Sequence, residues 1–97
     1  MLTSSQRAKL RGMAQTLTPI FNVGKNGVTD NLVKDVETAL DAHELIKVGV
    51  LKNSDLTAKD VLEELCQRMG AEPVVAIGGK LALYRRSERD DVAHIEL

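Results

Sequence analysis

The tetrapeptide Gly24-Lys25-Asn26-Gly27 is the part of this chain whose residue types and spacing best suit chemistry. Glycine tolerates positive φ and lets a ligand come close to the backbone. A helix start follows at Thr29, and its free amides together with the Lys25 ammonium suit a phosphate. KH domains clamp an RNA backbone with a GxxG loop of this kind. An ordinary tight turn uses the same residues, so the motif by itself leaves both readings open.

Other chemistries find no support. Gly78-Gly79-Lys80 lacks the GxxxxGK[ST] spacing of a nucleotide loop, and strand residues follow it where a helix would be needed. His43 and His94 stand far apart in sequence, and the chain has too few Cys and His for a metal site. Cys66 falls in an apolar helical stripe, the place of an inert buried thiol. Glu63 and Glu64 are adjacent on a helix and point apart. The expectation is a protein without cofactor, metal or catalytic site.

Charge is the second signal. The net charge of the 97 residues is −1, but the signs are segregated. Residues 1 to 29 contain Arg7, Lys9, Arg11 and Lys25 and no acid, and Lys80, Arg85, Arg86 and Arg89 are opposed only by Glu88. Acids concentrate at Asp30, Asp35, Glu37, Asp41 and Glu44, and again at Asp55, Asp60, Glu63, Glu64 and Glu72. Such segregation makes a strong local field, or two ordinary solvated faces. Aromatic residues are one Tyr and one Phe, so a row of stacking platforms for single-stranded nucleic acid cannot be built. Any nucleic acid must be held by backbone charge and hydrogen bonds.

The elements that position these residues follow from periodicity. Thr3 and Gln6 have capping-box spacing, and Leu10, Met13, Ala14 and Leu17 recur at helical intervals, giving a helix over about 4–15 with Arg7 and Arg11 one turn apart. A short strand over 17–23 carries Pro19 at its start or on an edge. Thr29 caps a second helix with Leu32, Val33, Val36, Ala39, Leu40 and His43 on one face. Residues 44–51 alternate as a strand, with Ile46, Val48 and Val50 inward and Lys47 and Gly49 on the other face. Thr57 to Met69 is a third helix ended by Gly70, and strands over 73–77 and 81–84 close on Gly78-Gly79 as a hairpin. The order α-β-α-β-α-β-β implies an α/β (α+β) domain with parallel β-α-β steps and a mixed four-stranded sheet. One domain over 1–89 is expected, with 90–97 a frayed acidic tail. No apolar run approaches the roughly 18 residues that cross a membrane, and the first residues lack a secretory h-region. With a single cysteine, a reducing cytoplasm is the expected setting.

Leu10-Arg11-Gly12-Met13-Ala14, Pro19 to Val23, Gly24 to Thr29, Ala39-Leu40, His43-Glu44-Leu45-Ile46-Lys47-Val48 and the closing Ile77-Gly78 to Arg85 closely resemble the CRM domain (chloroplast RNA splicing and ribosome maturation). The bacterial stand-alone form is the YhbY family, and the likeness covers about residues 2 to 86. It implies a fold similar to the C-terminal domain of translation initiation factor three, and RNA binding in precursors of the large ribosomal subunit. It also implies RNA contacts at Gly24, Lys25, Asn26 and Gly27, with Arg7, Lys9 and Arg11 beside them. Lys47, Lys80, Arg85 and Arg86 complete the expected basic surface. Relatives often carry a basic residue after the HELIKV run, where this chain has Gly49. The expected protein is a monomeric rRNA binder that acts by binding alone. A protein-protein adaptor docking on a ribosomal protein is the alternative.

Overall fold

The computed structural model describes Met1–Leu97. Thr3 starts helix α1 (Ser4–Ala14) through a full capping box, its hydroxyl accepting from the Gln6 amide while the Gln6 side chain accepts from the Thr3 amide. Two orphan donors are thereby satisfied at a helix start. Strand β1 (Phe21–Val23) leads through the GKNG turn to helix α2 (Asp30–His43), capped by Thr29. Strand β2 (Leu45–Val50), helix α3 (Ala58–Met69), and the hairpin β3 (Glu72–Ile77) and β4 (Lys80–Tyr84) complete the order expected from the sequence. Gly70 ends α3 in the left-handed conformation, with φ +64°.

The sheet order is β1-β2-β4-β3. β1 runs parallel to β2, whereas β4 is antiparallel to both β2 and β3, so the sheet is mixed. Helices lie on both faces. On one, α2 and α3 bury Val36, Leu40, Val61 and Leu65 against Val23, Ile46, Val48, Leu81 and Leu83. On the other, α1 alone sets Leu10 and Ala14 on Leu45, Val74, Ala82 and Tyr84. Burying apolar surface on both sides of one sheet stabilises the fold by about 25 cal/mol per Å² removed from water.

Four expectations need correction. The first strand is shorter than its apolar run: Pro19 and Ile20 precede β1, although the Ile20 amide still donates to the Lys47 carbonyl. Proline cannot donate, so regular pairing begins only past it. His43 is exposed at the end of α2, outside the apolar stripe. β2 is not apolar on one side only, because Leu45 and Gly49 are buried as well as Ile46 and Val48. Leu45 is covered by α1, on the face that alternation assigns to solvent, and Gly49 by the side chains of Asn22 and Pro19.

The fourth correction concerns the C-terminal segment. Residues 90–97 form no helix or strand, but they are not frayed. Glu44, fully buried with φ +66°, closes α2 and aims its carboxylate at them. Its oxygens accept from the amides of Ser87 and Ile95, each at 2.7 Å, and lie 2.6 Å from His94 Nδ1. Burial pushes the Glu44 carboxyl upward, but the His94 contact and the two amides outweigh it and hold the group below its usual value. Ile95 packs on the smaller core under α1.

Candidate nucleic-acid interface

Strand register defines the candidate site. Lys47 pairs across β4 with Ala82 and, beyond it, Val75. The next row of the same face runs Asn22, Gly49, Lys80 and Ile77 across all four strands. Paired residues of neighbouring strands point to the same side. α1 covers the half of this face that holds Leu45 and Tyr84, and it stops at Ala14, whose carbonyl accepts from Lys47 Nζ at 3.3 Å. The carbonyl end of a helix is the negative end, so a cation is well placed there. Beyond that point the sheet is open.

The open half holds a shallow cavity of about 400 Å³ lined by Arg11, Gln15, Lys47, Val75, Ile77 and Lys80 among others, and none of its eight lining residues is acidic. Arg11, Lys47 and Lys80 come from α1, β2 and β4, and none is in an ion pair. Ile77 stands 73% exposed at the rim. Three like charges with no acid among them create a positive potential suited to a polyanion.

The GKNG turn sits at the same end of the sheet, directly after β1. The Gly27 amide donates to the Gly24 carbonyl at 3.1 Å, closing a tight turn that exposes Lys25 and Asn26. Gly27 is left-handed (φ +66°), but Gly24 is not, so only the second glycine is required by conformation. A β-carbon at Gly24 would rest in ordinary contact with Leu51 and Asn53. The turn borders a second hollow, about 350 Å³, lined by Asn22, Lys25, Asn26, Thr29, Asn31 and Asp35 among others. Asn22 lines this second hollow and stands in one row with Gly49 and with Lys80, which lines the first. Its side chain lies over Gly49, where a β-carbon would come within 2.5 Å of Asn22 Oδ1.

Not all expected residues meet here. Arg7 Nε donates to the Pro73 carbonyl, and Lys9 Nζ donates to the Glu96 carbonyl, so both lie against the covered half and the C-terminal segment. The expected cluster of Lys80, Arg85 and Arg86 is divided. β4 separates Lys80 from Arg85 by five residues, roughly 16 Å of strand. Arg85 is committed internally, to Asp41 at 3.1 Å and to the Met69 carbonyl at 2.8 Å. Arg86 borders a different hollow, which it shares with Asp41 and Glu88.

Sequence reading missed Asn22, Gln15 and Lys52. Asn22 is the polar residue between Phe21 and Val23, a visible outward position, but its place above Gly49 needs the β1-β2 register. Lys52 stands between Leu51 and Asn53, the two residues beside Gly24. Away from this surface the single thiol is unsuited to nucleophilic work, since burial and then the Glu72 charge push Cys66 up to about 11.

This arrangement has known counterparts. The sequence profile of the CRS1/YhbY (CRM) domain matches residues 2–85. The chain is 46% identical over 90 residues to "Probable RNA-binding protein YqeI" of Bacillus subtilis, covering 93% of this chain and 94% of that one. It is 37% identical to an "RNA-binding protein" of Haemophilus influenzae, covering 90% and 88% of the two chains. It also aligns over 71 residues, at 37% identity, with 9% of the rice "CRS2-associated factor 1, chloroplastic", there one module of a much longer protein. A Staphylococcus aureus protein solved in solution superposes with a TM-score of 0.70 at 34% identity, over 98% of this chain and all of that one. With the profile spanning nearly the whole chain and relatives matched over most of their length, this protein belongs to the CRS1/YhbY family of CRM domains.

Proposed function

We propose that this protein binds RNA on the open half of the α1 face of its sheet, with the GKNG turn gripping backbone at its edge. The observation that carries the reading is the acid-free group of Arg11, Lys47 and Lys80 adjoining the exposed Lys25 turn. Relatives named as RNA-binding support the same ligand class. The physiological RNA is ribosomal RNA in precursors of the large subunit. The protein acts as a cytoplasmic monomer and by binding alone: it neutralises phosphates, holds a folded segment, and leaves when the site matures.

Crosslinking in cells followed by sequencing of the bound RNA tests this directly, with reads expected to concentrate on precursor large-subunit rRNA. In vitro, releasing counterions from four phosphates at Arg11, Lys25, Lys47 and Lys80 gives log K a slope against log salt of roughly −3.6. A flat salt response, with crosslinks to ribosomal protein and none to RNA, would replace this reading with the adaptor.

A further inference from the structure

The open face has charge, amides and aliphatic groups, and it has no aromatic ring. Phe21 packs on the opposite face, against the core under α2 and α3. Tyr84 is buried under α1 at the far end of β4. A sheet that holds single-stranded nucleic acid does so largely by stacking bases on exposed rings, and no base can be stacked that way here. What the face offers instead is cations for phosphates and an amide set among them. Asn22 is exposed, its side chain makes no hydrogen bond within the protein, and it lies flat over the bare backbone of Gly49. Gly49 is itself paired with Lys80 on the adjacent strand. An A-form duplex presents phosphates on either side of a wide, shallow minor groove rich in ribose 2′-hydroxyls.

We infer that the open sheet face takes double-stranded RNA through its backbone, with Arg11, Lys47 and Lys80 on phosphates and the Asn22 amide on ribose 2′-hydroxyls. The inference rests on the RNA-binding reading above and narrows its ligand. A 2′-hydroxyl both donates and accepts, which matches a carboxamide, and it is the group that separates RNA from DNA. The flat Gly49 permits this: a side chain there would push Asn22 off the sheet.

The test uses the full chain and three probes: a blunt RNA duplex of about 20 base pairs, one unstructured strand of it, and the DNA duplex of the same sequence. The RNA duplex is expected to bind at least about tenfold more tightly than the single strand, since stacking on even one base would close that gap. A smaller ratio overturns the inference and leaves RNA binding intact. If none of the three binds, the RNA-binding reading itself has failed. The RNA duplex should also exceed the DNA duplex, and Asn22→Ala should shrink that ratio by at least about threefold while the melting temperature holds. Gly49→Ala, which displaces Asn22 without removing it, should shrink the ratio in the same direction. An unchanged RNA-to-DNA ratio in both folded variants overturns the assignment of Asn22.

Discussion

The α1 face of the sheet has two halves, and they use the same kinds of residue for different ends. On the covered half, Arg7 and Lys9 each donate to a carbonyl of the protein. On the open half, Arg11, Lys47 and Lys80 form no ion pair, and only Lys47 has a hydrogen bond, to the last carbonyl of α1. Composition does not distinguish the halves. What does is whether a cation has a partner within its own chain. A cation with one contributes to packing, and a cation without one contributes field.

Reversing charge on the open half should give the largest effect. In Lys47→Glu with Lys80→Glu, two attractions become two repulsions, each worth on the order of 1 to 4 kcal/mol at contact near a surface. RNA affinity should fall at least about a hundredfold in a filter-binding or anisotropy titration. Arg86→Glu, a basic residue outside this face, should change it by less than about threefold. Equal losses from the two variants would remove the special role of the open half.

On the covered half, Glu44→Ala should cost stability and not affinity. It strands the amides of Ser87 and Ile95, and each buried donor left unpaired costs about 1 to 3 kcal/mol. A lower melting temperature and faster proteolysis after Tyr84 should follow, with RNA affinity little changed. The same carboxylate sets a pH response. Its folded value lies below the ordinary 4.5, so its contribution is complete above that value and is lost as pH falls through the folded one. Release of the C-terminal segment should therefore appear below about pH 4.5 in the parent, and this acid-triggered step should vanish in Glu44→Ala.

Element order and the principal core were legible in the sequence, because Thr3, Thr29, Thr57, Gly70 and the stripes of α2 and α3 are local signals. The division of the basic residues was not. Lys80 and Arg85 look clustered in sequence, but an extended strand carries them to opposite ends of the sheet. Arg7 and Arg11 share a helix face, yet the helix spans the boundary between covered and open sheet, so one lands on each side. Glu44 is equally opaque. Its burial depends on a segment 50 residues later folding back, which no periodicity encodes.

The GKNG turn comes next in size. Lys25→Asp with Asn26→Asp puts two negative charges at the edge of the open half, and the fold should survive because both side chains are exposed in the turn. Repulsion of this size lowers RNA affinity by about tenfold, less than the double reversal on the sheet, because only one cation is removed. A larger loss than that from Lys47→Glu with Lys80→Glu would move the centre of the interface from the sheet to the turn.

The smallest effect on RNA is expected from the two basic residues of α1 that face away from the open half. Arg7→Gln with Lys9→Gln removes as much positive charge as would neutralising Lys47 and Lys80, so a protein that bound RNA by net charge alone would respond equally to both. Local geometry predicts otherwise, because both side chains are tied to carbonyls of the protein away from the open half, and screening at about 0.15 M salt leaves contact with phosphate, not net charge, to set affinity. Arg7 Nε is held at the Pro73 carbonyl, and Lys9 reaches the Glu96 carbonyl. The double variant should thus bind RNA within about threefold of the parent at that salt. Its salt slope should be unchanged, since no counterion-releasing contact is lost. It should instead loosen the C-terminal segment, measured as faster proteolysis there. A tenfold loss of affinity with a shallower slope would put the whole length of α1 on the RNA and end the distinction between the two halves.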